Sequence, residues 1–341
     1  MSHVLADQTG DALQYLADLR EIGVPDPRRR QLADPAEAAT LIGRELRSRV
    51  DAVLQAHPGD PVVMLSGGVD SIAVAAAAVQ LGARPHAITV VTDTGTDATN
   101  AAAVAKALGL THQIVELDVK AVVDLARESI ARLKIPELWE ITYAIPLLAA
   151  ARALDALSSV GPILTGSAAD AILAGGKMLH HPVESPAATV EMDQMIRKES
   201  ASNFRYDRLV PDFYARVLPT YEHRFVHVFQ TVRFWEIAET FAAPAMFGVH
   251  DGAPADKLCL RIACTELLPD SVKPLAWSKK AAIQRSAGIM GALATGARQF
   301  AASMPGAQTY GDPMSESYET VATRLFLGLL DDTDKKERSE A

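Results

Sequence analysis

Four short apolar runs, alternating with stretches of helical character, leave this chain few folds to adopt. The runs are Pro61-Val62-Val63-Met64-Leu65, His86-Ala87-Ile88-Thr89-Val90-Val91, His112-Gln113-Ile114-Val115-Glu116-Leu117 and Pro162-Ile163-Leu164-Thr165. Between and around them the pattern predicts helices over Ser71 to Leu81, Asp97 to Leu108, Val119 to Leu133 and about Tyr143 to Leu157. Strands alternating with helices call for an α/β fold: a doubly wound parallel sheet with helices on both faces. In such sheets ligands bind beyond the carboxyl ends of the strands.

The first 57 residues read as a helical extension. Asp34-Pro35-Ala36-Glu37 is a helix start with proline at the first helical position. Ala39, Leu41, Ile42, Leu46, Val50 and Val53 then form an apolar stripe at helical spacing. Arg28-Arg29-Arg30 ahead of it reads as a solvated loop. Residues 58–300 form the body of the expected domain, turning helical and less regular after Gly176. Residues 301–341 hold a helix and a charged tail, Asp331-Asp332-Thr333-Asp334-Lys335-Lys336-Glu337-Arg338. There is no internal repeat.

Composition narrows the partners. Lys and Arg number 33 against 42 Asp and Glu, a formal charge of −9, with no basic block of the kind that tracks nucleic acid. Apolar runs stop well short of the ~20 residues that span a bilayer. Cys259 and Cys264 are the only cysteines, too few for a framework of bridges, and imply a reducing compartment. Asp7 interrupts the N-terminal segment before it resembles a signal peptide. The expected location is cytoplasmic, with small-molecule partners.

The segment Leu65-Ser66-Gly67-Gly68-Val69-Asp70-Ser71 lies where the first strand becomes the first helix. Two glycines let backbone approach an anion, while the hydroxyls of Ser66 and Ser71 and the first helical amides point at it. Asp70 beside a polyphosphate calls for a cation between them, so Mg²⁺ is implied. A ligand-free tight turn is the competing reading, but a six-residue match in strand–loop–helix context is far more specific than a lone glycine pattern.

This loop resembles the Ser-Gly-Gly-x-Asp-Ser signature of the ATP pyrophosphatase (PP-loop) superfamily. The Walker lysine and spacing are absent. Within the superfamily the chain is most similar to the synthetase domain of asparagine synthetase, shared by β-lactam and carbapenam synthetases. Gly166-Ser167-Ala168-Ala169-Asp170-Ala171-Ile172-Leu173-Ala174-Gly175 resembles that family's Gly-Glu-Gly-Ala-Asp-Glu-Leu-Phe-Gly-Gly loop. Glu137-Leu138-Trp139-Glu140, Asn203-Phe204-Arg205-Tyr206-Asp207, Tyr221-Glu222-His223-Arg224 and Lys257-Leu258-Cys259-Leu260-Arg261 follow other family segments in order. Trp277-Ser278-Lys279-Lys280-Ala281 stands where the family has Arg-Pro-Lys-Lys-Ala. The likeness runs from about Pro61 to Gly288.

The resemblance implies ATP and Mg²⁺, activation of a carboxylate as its adenylate with release of pyrophosphate, and capture of the acyl group by an amine. ATP would be held by Leu65, Ser66, Gly67, Gly68, Asp70, Ser71, Val91 and Gly166, and the metal by Asp70 and Asp170. A helix N-cap is the other reading of Asp170, and a core role alone would explain Leu65 and Val91. Lys279 would contact the reacting phosphate, with Lys280 as its rival. Glu137 would take a proton from the amine, with Glu140 as its rival. His180-His181 lack metal-ligand spacing and read as surface or core. Cys259 and Cys264 read as packing residues.

Two departures stand out. The family's glutaminase domain uses a cysteine exposed after the initiator methionine, whereas residue 2 is Ser2 and about 60 residues precede the loop. The expected amine is therefore ammonia, a second substrate or an internal group; a homo-oligomer or a separate ammonia-supplying partner is compatible with this. Ser167 and Ala171 also replace both family glutamates, which argues against aspartate as the acceptor and removes a charge expected beside the metal. Sulfur transfer, ring closure and a non-catalytic nucleotide-binding subunit are the competing readings.

Overall fold

Val62 and Val63 are neighbours in sequence and both fully buried, yet they belong to different apolar clusters. Successive strand side chains point to opposite faces, so this burial requires cover on both sides of a sheet. The computed structural model, which describes residues 4–5, 15–16, 20–204, 210, 212–278, 283–309, 311–325 and 327–328, has that arrangement. Strands β1 (Val62–Met64), β2 (His86–Thr92), β3 (His112–Leu117), β4 (Ile163–Thr165) and β5 (Phe225–His227) form one five-stranded sheet. All pairs are parallel and the order is β3-β2-β1-β4-β5. Val62 pairs with His86 on one side and Ile163 on the other. The order of strands reverses between β1 and β4, which is the switch point where doubly wound sheets take ligands.

Helices α1 (Pro35–Ala56), α2 (Val69–Gln80) and α3 (Asp97–Ala107) contribute to the cluster that contains Val63 and Leu65. The opposite cluster contains Val62, Ile88 and Ile163 and takes side chains from α4 (Val119–Leu133) and α5 (Leu138–Leu154). Next come α6 (Ala169–Ile172), α7 (Pro186–Asn203), α8 (Phe213–Val217), α9 (Val232–Ala238) and α10 (Ala243–Met246). The chain continues through α11 (Leu258–Leu267), α12 (Ile283–Ser286) and α13 (Ile289–Ser303). Alanines 73, 75, 76, 77 and 78 of α2 are all fully buried. Their small side chains let α2 lie between the sheet and the outer helices α1 and α11.

The expected fold class is present, with four adjustments. The strand β5 was not anticipated: Phe225-Val226-His227 is too short to carry a period and forms by pairing with the edge of β4. The N-terminal region is not helical throughout. Among the described residues before α1 are 3-10 turns at Arg20–Gly23 and Pro27–Arg29 and a two-strand ladder of Val4–Leu5 with Tyr15–Leu16. Helix α5 starts earlier than Tyr143, because Glu137 caps it by accepting from the Glu140 amide at 2.9 Å. The charged tail from Asp331 to Arg338 lies outside the described residues.

The fourth adjustment concerns the basic cluster. Arg28 is solvated, but Arg30 is 5% exposed and donates to Asp193 Oδ1 at 2.8 Å and to the Ala238 carbonyl at 2.7 Å. Arg197 binds both oxygens of the same Asp193, at 3.0 and 3.1 Å, and lies over the Trp235 ring. Asp193 also accepts from the Asp26 amide at 2.7 Å. A run of three arginines reads as solvated only when no buried acid waits for one of them, and this acid lies 163 residues away. Removing the acid takes from Arg30 its carboxylate partner and leaves Arg197 with only Glu239, at 3.5 Å, so Asp193→Ala should cost about 3–5 kcal/mol. Arg28→Ala should change stability by less than about 0.5 kcal/mol. Urea denaturation followed by circular dichroism measures both, and equal midpoints for the two variants would refute the buried-cluster account.

Candidate functional site

The loop between β1 and α2 depends on two backbone features. Gly67 has φ +72°, and a Cβ there would fall 2.8 Å from the Asp97 carbonyl oxygen. Gly68 is the N-cap of α2 with no side chain of its own, so the first amides of that helix face outward without an internal acceptor. The Ser71 hydroxyl donates to the Gly68 carbonyl at 3.1 Å and accepts from the Ser66 amide at 3.1 Å. Ser66 Oγ is 3.1 Å from Ser71 Oγ. The two hydroxyls thus shape the loop that presents the helix N-terminus to an anion.

Asp70 lies in the first turn of α2 and Asp170 in the first turn of α6, following β1 and β4 at the switch point. Gly166 makes the approach of these two elements feasible, since a Cβ on it would fall 2.7 Å from the Ser71 amide nitrogen. The two carboxylates converge on one cation. Lys257 Nζ donates to Asp70 Oδ1 at 2.7 Å, Asp70 Oδ2 at 2.8 Å and Asp170 Oδ1 at 2.7 Å. Burial alone would lower the basicity of Lys257, but Asp70 and Asp170 outweigh it and hold the ammonium above its ordinary range.

Lys257 is the functional residue that the motifs alone did not single out. It heads the Lys-Leu-Cys-Leu-Arg segment, and that position was its only signal. A short antiparallel hairpin, Gly248–His250 with Ala253–Ala255, turns at Asp251 and Gly252, both at positive φ, and delivers Asp256 and Lys257 to the site. Arg261, one turn into α11, fixes this corner. It donates to the Asp256 carbonyl at 2.7 Å, Asp256 Oδ1 at 2.6 Å, the Ala276 carbonyl at 2.8 Å and the Ser278 carbonyl at 3.3 Å. Asp256 in turn accepts from the Gly176 amide at 2.5 Å, tying down the loop that carries Asp170. Burial disfavours the Asp256 charge, but Arg261 and the Gly176 amide keep its carboxyl below the usual range.

The remaining expected residues fall as follows. Leu65 is fully buried; its amide donates to the Ile88 carbonyl and its carbonyl accepts from Thr89 Oγ1 at 2.5 Å. Val91 is 4% exposed and lies beneath Gly95. Glu137 is half-buried at the start of α5. The carboxyl end of α5 leads to Gly161, whose amide bonds Asp60 at the starting edge of β1. A helix of this length, ~25 Å, thus begins toward the strand-end edge, where Asp70 and Asp170 lie. Lys279 and Lys280 lie outside the described residues. Their flanks are fixed: Arg261 holds the Ser278 carbonyl, while the Thr96 and Thr92 amides bond the carbonyls of Ser286 and Ala287.

Ala171 is 4% exposed in the first apolar cluster and its carbonyl accepts from Ser200 Oγ at 3.1 Å. The Ala171 methyl thus packs in the core, one residue from the Asp170 carboxylate. His180 and His181 are surface residues, both bonded through Nδ1 to Glu191. Cys259 and Cys264 are buried; burial pushes the Cys259 thiol up to about 12 and raises Cys264 as well, so neither is a thiolate at neutral pH. Among the described residues no helix is long and apolar enough to cross a membrane.

A family model described as asparagine synthase matches residues 50–234, more than half of the chain. No protein of curated function gives a significant match. Among solved structures, the chain is similar to a predicted subunit of tRNA methyltransferase from Methanocaldococcus jannaschii. That match has 27% identity and a TM-score of 0.24, and covers 40% of this chain and 64% of the other. The chain thus spans less than two thirds of that neighbour's length.

Arg261 ties the Asp170 loop to the segment that leads to Lys279, and lysine cannot reproduce its fork. On the synthetase reading proposed below, Arg261→Lys should lower turnover by roughly 10- to 100-fold, the effect of an ångström-scale misplacement, while nucleotide affinity changes little. Pyrophosphate release and equilibrium nucleotide binding measure the two separately; parallel losses in both would contradict the assignment.

Proposed function

The chain belongs to the asparagine synthase family, a family of ATP-dependent PP-loop synthetases, and from that premise we propose that it forms an amide through an acyl-adenylate. The observation that carries this reading is the convergence of Asp70 and Asp170 on one cationic point beside the phosphate loop. Among the described residues no cluster of three or more His, Cys, Asp or Glu could hold a metal alone. Two carboxylates suffice for Mg²⁺, which keeps waters and takes phosphate oxygens as its other ligands. The residues present therefore fit the ion, with Asp70 and Asp170 as its protein ligands. When bound, it would neutralise charge on the phosphates and on the leaving pyrophosphate.

The residues of the chain divide the work. Ser66, Gly67, Gly68 and Ser71 shape the amide cradle for the pyrophosphate portion of ATP. Leu65 and Val91, at the ends of β1 and β2, support the floor on which the adenine rests, and Gly166 allows the phosphates close to the backbone. A carboxylate oxygen of the substrate attacks the α-phosphorus, and the bond from that phosphorus to the bridging oxygen breaks as pyrophosphate leaves. Lys279 places positive charge on the developing centre. An amine nitrogen then attacks the acyl carbon, Glu137 accepts its proton, and AMP departs with the electron pair of the broken C–O bond. The buried, protonated thiols of Cys259 and Cys264 argue against sulfur transfer, which needs an accessible thiolate. Small-molecule substrates and a cytoplasmic location accompany this reading.

The test is pyrophosphate release from ATP across a panel of carboxylic acids, with and without ammonium. Release that depends on one acid, with AMP formed in equal amount, is the expected result; ATP binding without release for every acid and amine would defeat the proposal. With the active acid, Asp70→Asn should abolish release without unfolding the chain. Lys279→Ala should slow release by roughly 10²-fold or more, the scale for loss of one positioned electrostatic group. Lys280→Ala should have a mild effect, and the reverse ranking would move the assignment by one residue.

A further inference from the structure

Lys257 occupies the point to which both metal-binding carboxylates are directed. Its ammonium lies within 2.8 Å of three carboxylate oxygens drawn from Asp70 and Asp170. The lysine side chain is 6% exposed, while that of Asp170 is 55% exposed, so the cation sits on the inner side of the pair. Its backbone is held at φ +49°, a left-handed conformation that is unfavourable for a non-glycine residue and persists only when the surroundings enforce it. The neighbouring charges are already matched, since Asp256 pairs with Arg261 at 2.6 Å.

A divalent ion arriving alone meets this ammonium at the place where it must bind. It would have to share two carboxylates with a buried cation or drive that cation into an apolar interior, and both are costly. ATP changes the balance, because its phosphates supply the negative charge that lets ammonium and metal coexist. Resting on the synthetase reading above, we propose that Lys257 is an internal counter-cation that keeps free divalent metal out of the Asp70–Asp170 site, so that the metal binds only together with ATP. The lysine then does two things: it stabilises the paired carboxylates before substrate arrives, and it couples metal affinity to nucleotide.

The experiment measures Mn²⁺ binding to the full chain by electron paramagnetic resonance, with and without α,β-methylene-ATP, whose α–β bond cannot be cleaved. In the wild-type protein the analogue should tighten Mn²⁺ binding by about tenfold or more, a normal size for coupling between sites. Lys257→Met should bind Mn²⁺ without nucleotide about tenfold or more tighter than wild type, so the coupling shrinks toward unity. Mg²⁺ alone should then raise the melting temperature of Lys257→Met and leave wild type unchanged. Asp170→Asn, at an exposed side chain, should lose Mn²⁺ binding in either background. The wild-type measurement decides the matter even if Lys257→Met does not fold: equal Mn²⁺ affinity with and without bound analogue overturns the inference. A folded Lys257→Met that binds Mn²⁺ no better than wild type overturns it too. If the analogue fails to bind wild type at all, the synthetase reading falls first and the inference with it.

Discussion

Two carboxylates do not share a half-buried cleft unless a cation stands between them. Desolvation and mutual repulsion would otherwise drive one of them to bind a proton. Here the cation is Lys257, and the three charged groups arrive from three elements: α2 after β1, α6 after β4, and the start of α11. The sheet order makes that meeting feasible, since β1 and β4 are neighbours and the helices that follow them, α2 and α6, share the first apolar cluster. Losing Lys257 would leave two facing carboxylates uncompensated beside the phosphate loop, whereas losing either aspartate leaves the lysine paired with the other. The candidate site and a structural ion cluster are therefore the same object.

The strain in the backbone is concentrated around this object. Among the described residues five non-glycine positions have positive φ, and Ala168, Ala174 and Lys257 of these flank the paired carboxylates. Gly175, next to Ala174, has no room for a side chain, because a Cβ would fall 1.8 Å from Asp170 Oδ1. Conformations of this kind survive where tertiary contacts over-determine them. Here Asp256 holds the Gly176 amide, and Arg261 holds Asp256. Arg261 reaches further, to the carbonyls of Ala276 and Ser278, so one buried guanidinium joins the Asp170 loop to the approach of Lys279. A fork with five donors can serve several acceptors at fixed angles, which an ammonium cannot.

The strands β1, β2, β3 and β4 were legible because buried parallel strands are written as short apolar runs. The Ser-Gly-Gly-Val-Asp-Ser loop was legible because its residues act locally, through their own backbone and hydroxyls. The strand β5 was not, because its three residues take their conformation from β4. Lys257 was not singled out because what distinguishes it from other lysines is its pairing with carboxylates 87 and 187 residues away. The same holds for Arg30, indistinguishable in sequence from Arg28 until Asp193 is brought beside it. Local backbone chemistry reads from sequence; long-range charge pairing depends on the fold that creates it.

That distinction also bears on the two replaced glutamates. A glutamate at 171 would have to place its carboxylate among the apolar residues of the first cluster, where Ala171 is packed and where Ala188 and Met192 of α7 are fully buried. A carboxylate placed there would need a partner to offset its desolvation. Alanine at 171 thus belongs with the packing of α6 on α7, and Ser200 Oγ, bonded to the Ala171 carbonyl, fixes that packing. Ser167 is different. It is half-buried just beyond the end of β4, its amide 3.4 Å from Thr165 Oγ1, which also contacts His227 Nδ1 at 3.0 Å. The end of β4 and its neighbour β5 therefore present a serine, a threonine and a histidine where the family resemblance puts a carboxylate. The departure at 167 thus lies in the wall beside the Asp170 carboxylate, while the alanine at 171 packs in the core.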